Sequence, residues 1–305
     1  MSLLKSKFNL CVLELPKSFK VTQGDAFNSM RLKKFIELTP SQDFGHGWVD
    51  MVDMFNSDFS MEDSVAVNAV VGGYRFDKKN VPAPLLNRLY KVRLKEREKE
   101  EGGRLEKDEK EILKEECRQQ LILKALPTPK LVTWIWDIDN NQVYLDAKSA
   151  GVVDMFINLF TQTFKAPKIS VKTFGLKEEE IGEFLDWIWK NTSNLDDTWI
   201  DQGVTLNADK NTFKFSGPTL EDFLEEIESM KKGKSIKSLN IGCTLQKEDY
   251  SITFGDKNLI TGIESLAGIE HESAETAIID NSDRIMSIIS KIQNTVEQYQ
   301  VAIGE

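Results

Sequence analysis

Only three cysteines and two histidines occur in 305 residues. Cys11, Cys117 and Cys243 are odd in number and far apart, which argues against a disulfide framework and against paired metal-ligand spacing. They read as buried thiols of a reducing compartment. His46 and His271 cannot build a multi-histidine metal site, and His46, between Gly45 and Gly47, reads as a loop histidine. No apolar run approaches the roughly 18 residues needed to span a bilayer. Met1–Leu15 lacks the apolar stretch and small-residue cleavage site of a secretory leader, so a cytoplasmic protein is expected. The chain also lacks a P-loop, a dinucleotide fingerprint and a nucleophile elbow. Gly72-Gly73 and Gly102-Gly103 are isolated pairs without phosphate-cradling spacing. Nothing here assigns a catalytic residue, a metal site or a cofactor.

What is present is ordinary globular composition, 40% hydrophobic and 29% charged, with a net charge of −10. That charge argues against a generally sticky nucleic-acid binder. Its distribution is uneven: residues 1–104 sum to +3 and the remainder to −13. An acidic protein can still hold DNA if its cations converge in one groove.

The most informative stretch is Val81–Asp146. Pro82 and Pro84 suit a helix's first turn, where the missing N–H has no partner to lose. Two adjacent glycines punctuate a helix rather than continue it. Two helices are therefore predicted, about Ala83–Glu101 and Glu106–Lys124, joined at Gly102-Gly103 as an antiparallel hairpin. Leu85, Leu89 and Val92 form an apolar stripe on the first. Leu105, Leu113, Cys117 and Leu121 form one on the second. Leu85–Lys99 carries +4, and Glu100–Glu116 carries −4. Arg88, Lys91, Lys95 and Lys99 follow i, i+3, i+4 spacing and share one face. Such a face is either a solvated, salt-bridged surface or a phosphate-tracking one.

Elsewhere, Phe8–Leu15 reads as a strand, and Phe27, Met30 and Phe35 as an amphipathic helix ending before Pro40. Ser41–Val49 reads as a loop re-entering a strand near Trp48. Val65–Val71 is strand-like, bent or bulged at Gly72-Gly73. Leu131–Ile138 with Gln142–Asp146 makes a β-hairpin, and Ile236–Ile241 with Tyr250–Phe254 a second. Helices are expected at Ser149–Phe164, Glu178–Lys190, Leu220–Met230 and Thr276–Tyr299, and short strands at Ile169–Thr173 and Thr212–Phe215. Irregular mixing of helix and strand argues for α+β. The expected divisions are 1–80, a helical arm at 81–130, a second part of the core at 131–265 and a helical end at 266–305.

Asp137 and Asp139 have the i, i+2 spacing of some metal-dependent nucleases. A turn beginning Asp139-Asn140-Asn141 equally calls for Asp on geometric grounds, and that structural reading is favoured.

Four blocks carry a family likeness: Ser41-Gln42-Asp43 with Gly47-Trp48-Val49, Val81-Pro82-Ala83-Pro84-Leu85, Leu113-Lys114-Glu115-Glu116, and Trp134-Ile135-Trp136-Asp137. Their order and spacing resemble the RdgC family, bacterial recombination-associated DNA-binding proteins. The likeness is clear over residues 40–160, weaker to Leu266, and divergent beyond. It implies a curved multi-subdomain subunit with mixed sheets and a projecting helical hairpin, paired into a closed dimeric ring around duplex DNA. It further implies binding with little sequence preference (single-stranded DNA not excluded), restraint of RecA, a nucleoid location, and no nuclease activity. Carried over residue by residue, the DNA contacts are Arg88, Lys91, Arg93, Lys95, Arg97, Lys99, Arg104 and Lys124 on the arm, with Lys210 and Lys214 beyond it. Leu121 and Leu126 fall at the implied dimer interface, where Leu126 is aliphatic and the family can place an aromatic. The alternative is an acidic interaction factor. Glu221, Asp222, Glu225, Glu226 and Glu228 would then engage a basic recombination protein, with little direct DNA binding.

Overall fold

The computed structural model describes residues 6–66, 69–208, 211–217, 224–232, 234–255, 260–266 and 274–304. The chain opens with two short strands, β1 (Lys7–Phe8) and β2 (Cys11–Glu14), which enter different sheets. The pattern over Phe8–Leu15 predicts one strand. Instead the chain crosses between sheets at Asn9, whose backbone and side-chain N–H groups both donate to Asp146 Oδ1, at 3.0 and 3.2 Å.

Helix α1 (Gln23–Leu32) starts where Thr22 accepts from the Asp25 N–H at 3.1 Å, and it buries Ala26 and Met30. Phe35 lies beyond this helix, contrary to the periodicity. Residues 33–35 instead run along β3 (Phe44–Val49), with Phe35 N donating to Trp48 O and Trp48 N to Lys33 O. Lys34 adds a parallel bridge to Trp48, in a fold whose other described pairings are antiparallel. This approach explains Gly47, where a Cβ would lie 2.4 Å from Phe35 Cα.

Next come α2 (Met61–Ser64), β4 (Val65–Ala66) and β5 (Ala69–Lys79). The glycine pair in β5 makes no bulge: the register with its neighbours runs unbroken through Gly72 and Gly73. Both positions are crowded instead. A Cβ on Gly72 would meet Met30 and Trp134, and one on Gly73 would meet the Asp50 carbonyl.

The predicted arm follows as α3 (Ala83–Glu100) and α4 (Lys107–Ile122), with Gly102 at φ +67° in the turn. Then come β6 (Pro127–Asp137), β7 (Gln142–Leu145), α5 (Ala150–Phe164) and β8 (Ser170–Val171). The first sheet has the order β3-β5-β6-β7-β2-β8, with β4 paired to β5. Its strands alternate between two cores, as a period of two requires. Val70, Trp134, Trp136, Val143 and Leu145 face α1 and α5, and Val71, Ile135 and Tyr144 face the other way. Helix α5 lays Phe156, Phe160 and Phe164 onto Trp48, Trp134 and Trp136. Edge-to-face pairs such as Trp134–Phe156 at 5.9 Å add about 1 kcal/mol each beyond their burial.

The second sheet belongs to the rest of the chain. Helix α6 (Glu178–Asn191) precedes β9 (Thr198–Ala208) and β10 (Asn211–Ser216). Then follow α7 (Leu224–Lys231), β11 (Ser235–Leu245), β12 (Glu248–Gly255), β13 (Ile260–Ser265) and the long α8 (Ala274–Gly304). Strand order is β1-β13-β12-β11-β9-β10. One continuous core joins this sheet to α6, to α8 and to the second face of the first sheet. The α+β class is thus observed. Strands β9 and β13 have no counterpart in the sequence prediction. The start of the predicted helix at Leu220, with Glu221 and Asp222, lies outside the described residues, as do Lys210 and His271.

Candidate nucleic-acid interface

The arm is built from a helix with no buried residue, α3, against one that buries Leu113, Cys117 and Ile122, α4. The apolar stripe predicted on α3 is displaced. Of its members Leu89 is half-buried as expected but Leu85 and Val92 are exposed, while Leu86, Tyr90 and Leu94 are half-buried. On α4 the predicted stripe holds: Leu113 and Cys117 are buried and Leu121 half-buried, with Leu105 buried just before the helix.

Arg88, Lys91, Lys95 and Lys99 are all exposed, and none makes an ion pair with a described residue. At 1.5 Å per residue their row is about 16 Å long, the reach of roughly five phosphates along one strand. Arg93 and Arg97 differ. They pair with Glu96 at 3.5 Å and Glu101 at 4.0 Å, and line a groove of about 410 Å³ between the helices with Glu100, Glu116 and Cys117. Arg104 is exposed beside the turn, and Lys124 is exposed past the end of α4. Lys214 is exposed on β10, an edge of the other sheet, so it is not part of the arm's row. Leu126 is 86% exposed on the link into β6.

Base contacts that sequence reasoning missed orient the arm. Arg118 on α4 donates to Asp43 just ahead of β3, and to Glu115 at 3.2 Å. The Arg118 guanidinium holds the Asp43 carboxyl below the ordinary carboxylate range. Lys79, the last residue of β5, donates to Pro40 O at 2.7 Å. Asp43 and Arg118 are 75 residues apart, so no local pattern announces the pair.

The carboxylate pair takes the structural role. Asp137 accepts from the Asn140 backbone N–H at 3.0 Å, from Asn140 Nδ2 at 2.7 Å and from the Tyr144 hydroxyl at 3.4 Å. Burial and the Asp137 charge push the Tyr144 hydroxyl pKa up, so it remains a donor. Asp139 is exposed, beyond the strand's end. Among the described residues no three His, Cys, Asp or Glu side chains converge as metal ligands. No described helix is long and apolar enough to cross a membrane. His46 is also corrected: it sits in β3, half-buried, hydrogen-bonded to Tyr74 at 3.0 Å.

A two-sheet α+β core with a charged helical arm is the class of protein these elements define. A family profile described as "Putative exonuclease, RdgC" matches residues 8–289, and the chain belongs to the RdgC family. Similar relatives are called "Recombination-associated protein RdgC". That of Janthinobacterium sp. (strain Marseille) is 25% identical over 229 residues, 73% of this chain and 68% of its own. That of Herminiimonas arsenicoxydans is 21% identical over 279 residues, covering 90% and 86%. That of Edwardsiella ictaluri (strain 93-146) is 36% identical over 77 residues, a quarter of each chain. The family description speaks of an exonuclease, whereas these relatives are named for recombination.

Proposed function

We propose that this is a non-enzymatic duplex-DNA-binding protein of recombination, working as a ring-shaped homodimer that modulates RecA on the nucleoid. The observation that carries the reading is the row Arg88–Lys91–Lys95–Lys99, four exposed cations without an ion-pair partner among the described residues, in a chain of net charge −10. Phosphate is the ligand such a row fits, and it reads no sequence. Arg93, Arg97, Arg104, Lys124 and Lys214 flank or extend it. Leu121 and the exposed Leu126 are the residues for subunit contact. Asp137, held within its own turn, gives no support to metal-assisted cleavage.

The test is fluorescence anisotropy on random-sequence duplex across a salt series. Four phosphate contacts give a log–log slope of about −3.6, so affinity falls about 150-fold between about 50 and 200 mM salt. Lys91→Glu with Lys95→Glu removes two contacts, leaving a fall of about 12-fold and weaker binding throughout. Unchanged binding by that variant refutes the site. Cleavage of end-labelled DNA by clean protein with Mg²⁺ refutes the non-enzymatic reading.

A second reading rests on the exposed acids Glu225, Glu226 and Glu228 of α7, beside Trp189. They would engage a basic protein. No duplex binding even at low salt favours it.

A further inference from the structure

On the first sheet α5 covers Trp48, whose Nε1 donates to Thr163 Oγ1 at 2.8 Å near that helix's end. Beyond that point the same sheet face continues uncovered enough to leave Phe44 38% exposed. Directly opposed residues of neighbouring antiparallel strands share a face. In this register Phe44 opposes Lys78. In the next row His46 opposes Phe76, which opposes Lys130. Phe44 and His46 rings are 5.5 Å apart, and Lys130 Nζ lies 6.0 Å from the Phe76 ring centre. Lys78 and Lys130 are exposed, as is Lys33 from the segment beside β3. Of the neighbouring acids only Asp43 acts on one of these lysines, its carboxyl feeling the Lys78 charge besides that of Arg118. Asp43 is paired with Arg118, and Asp77, between Phe76 and Lys78, points to the opposite face and binds Arg75.

The rings are held firmly. Gly45 and Gly47 let residues 35–38 press against β3, since a Cβ on Gly45 would lie 2.5 Å from Leu38. His46 is tied to Tyr74. Burial, and secondarily the Lys33 charge, lower the His46 pKa, so its ring is neutral at pH 7.

We propose that Phe44 and His46, flanked by Lys33, Lys78 and Lys130, form a stacking site for unpaired bases of a single nucleic-acid strand. Aromatic faces beside lysines fit a strand whose bases stack and whose phosphates are neutralised. A duplex keeps its bases stacked inside and offers nothing to these rings. The site lies at the base of the arm, because β5 leads into α3 and α4 leads back into β6. It therefore deepens the DNA-binding reading and rests on it: the arm tracks duplex phosphates, and the sheet takes bases from an opened strand.

The experiment compares fluorescein-labelled oligothymidine with a duplex of equal length, using the full chain, Phe44→Ala, Phe44→Trp and Lys91→Glu/Lys95→Glu. Phe44→Ala is expected to weaken oligothymidine binding about tenfold and leave duplex binding within about twofold. Phe44→Trp retains the oligothymidine affinity. Bases carrying 2-aminopurine are quenched by the wild type and less by Phe44→Ala. Equal loss on both probes, or no loss on oligothymidine, overturns the site, the latter being the result if the face takes a protein instead. Wild-type binding to duplex alone overturns the site and spares the arm. Binding to oligothymidine alone spares the site and overturns the arm.

Discussion

Removing the Asp77 carboxylate should destabilise the fold more than deleting its whole ion pair. On the back of β5, Arg75 and Asp77 have side chains 4% and 0% exposed, with Arg75 Nη2 2.6 Å from Asp77 Oδ2 and Nε 2.8 Å from Oδ1. Glu37 adds a contact at 2.9 Å but is itself largely exposed, and the Phe35 ring centre lies 4.0 Å from the guanidinium carbon. Asp77→Ala leaves a buried guanidinium whose remaining polar partners are the exposed Glu37 and the Met54 carbonyl at 3.4 Å. Breaking a buried pair costs about 3–5 kcal/mol, and the remaining Glu37 puts this case near 3. Arg75→Met strands the fully buried Asp77 and belongs at about 4. The double variant leaves no orphan charge, losing chiefly the aromatic contact and some packing, about 2 kcal/mol. With a urea slope of about 3 kcal/mol/M for a chain of this size, Asp77→Ala moves the midpoint down by about 1 M. Urea melts of the four proteins followed by tryptophan fluorescence measure this. A cost below about 1 kcal/mol for Asp77→Ala, or a double variant as costly as the two singles summed, refutes the reasoning.

Two further outcomes follow from the same geometry. Asp43 has its pKa lowered in the folded state, so its pairing stabilises above the unfolded carboxylate value and is lost as pH falls through the folded one. Arg118→Ala should therefore lower the melting temperature slightly at neutral pH, the pair being partly exposed, and progressively less as pH falls below the unfolded carboxylate value; an effect that does not shrink in acid refutes it. The buried thiols should resist a disulfide reagent in the native state, with Cys11 pushed up to about 12 and Cys243 to about 11 by burial. All three should react at once in denaturant, and rapid native labelling of Cys11 or Cys243 contradicts their placement.

The arm was legible because local chemistry dictates it. Prolines at one end, two glycines at the turn and charge at helical spacing each act within a few residues, and the exposed row from Arg88 to Lys99 lies where that spacing puts it. The hairpins β6–β7 and β11–β12 were legible for the same reason, since short turns join alternating strands. What the sequence by itself determined is thus the class, the arm and its cationic row. Only the tertiary structure decided the rest, because the partners come from far along the chain. Strand β9 exists through its ladders with β10 and β11, including two register shifts with β11. Phe35 leaves the helical pattern because Trp48 takes its N–H. Gly72-Gly73 serves close packing rather than a bend, a distinction that appears once Met30, Trp134 and Asp50 are placed around it. His46 becomes part of an aromatic row only when β5 and β6 lie beside β3. Covalent neighbours set which helices and strands can form; which faces they bury is set by burial and hydrogen-bond satisfaction over the whole chain.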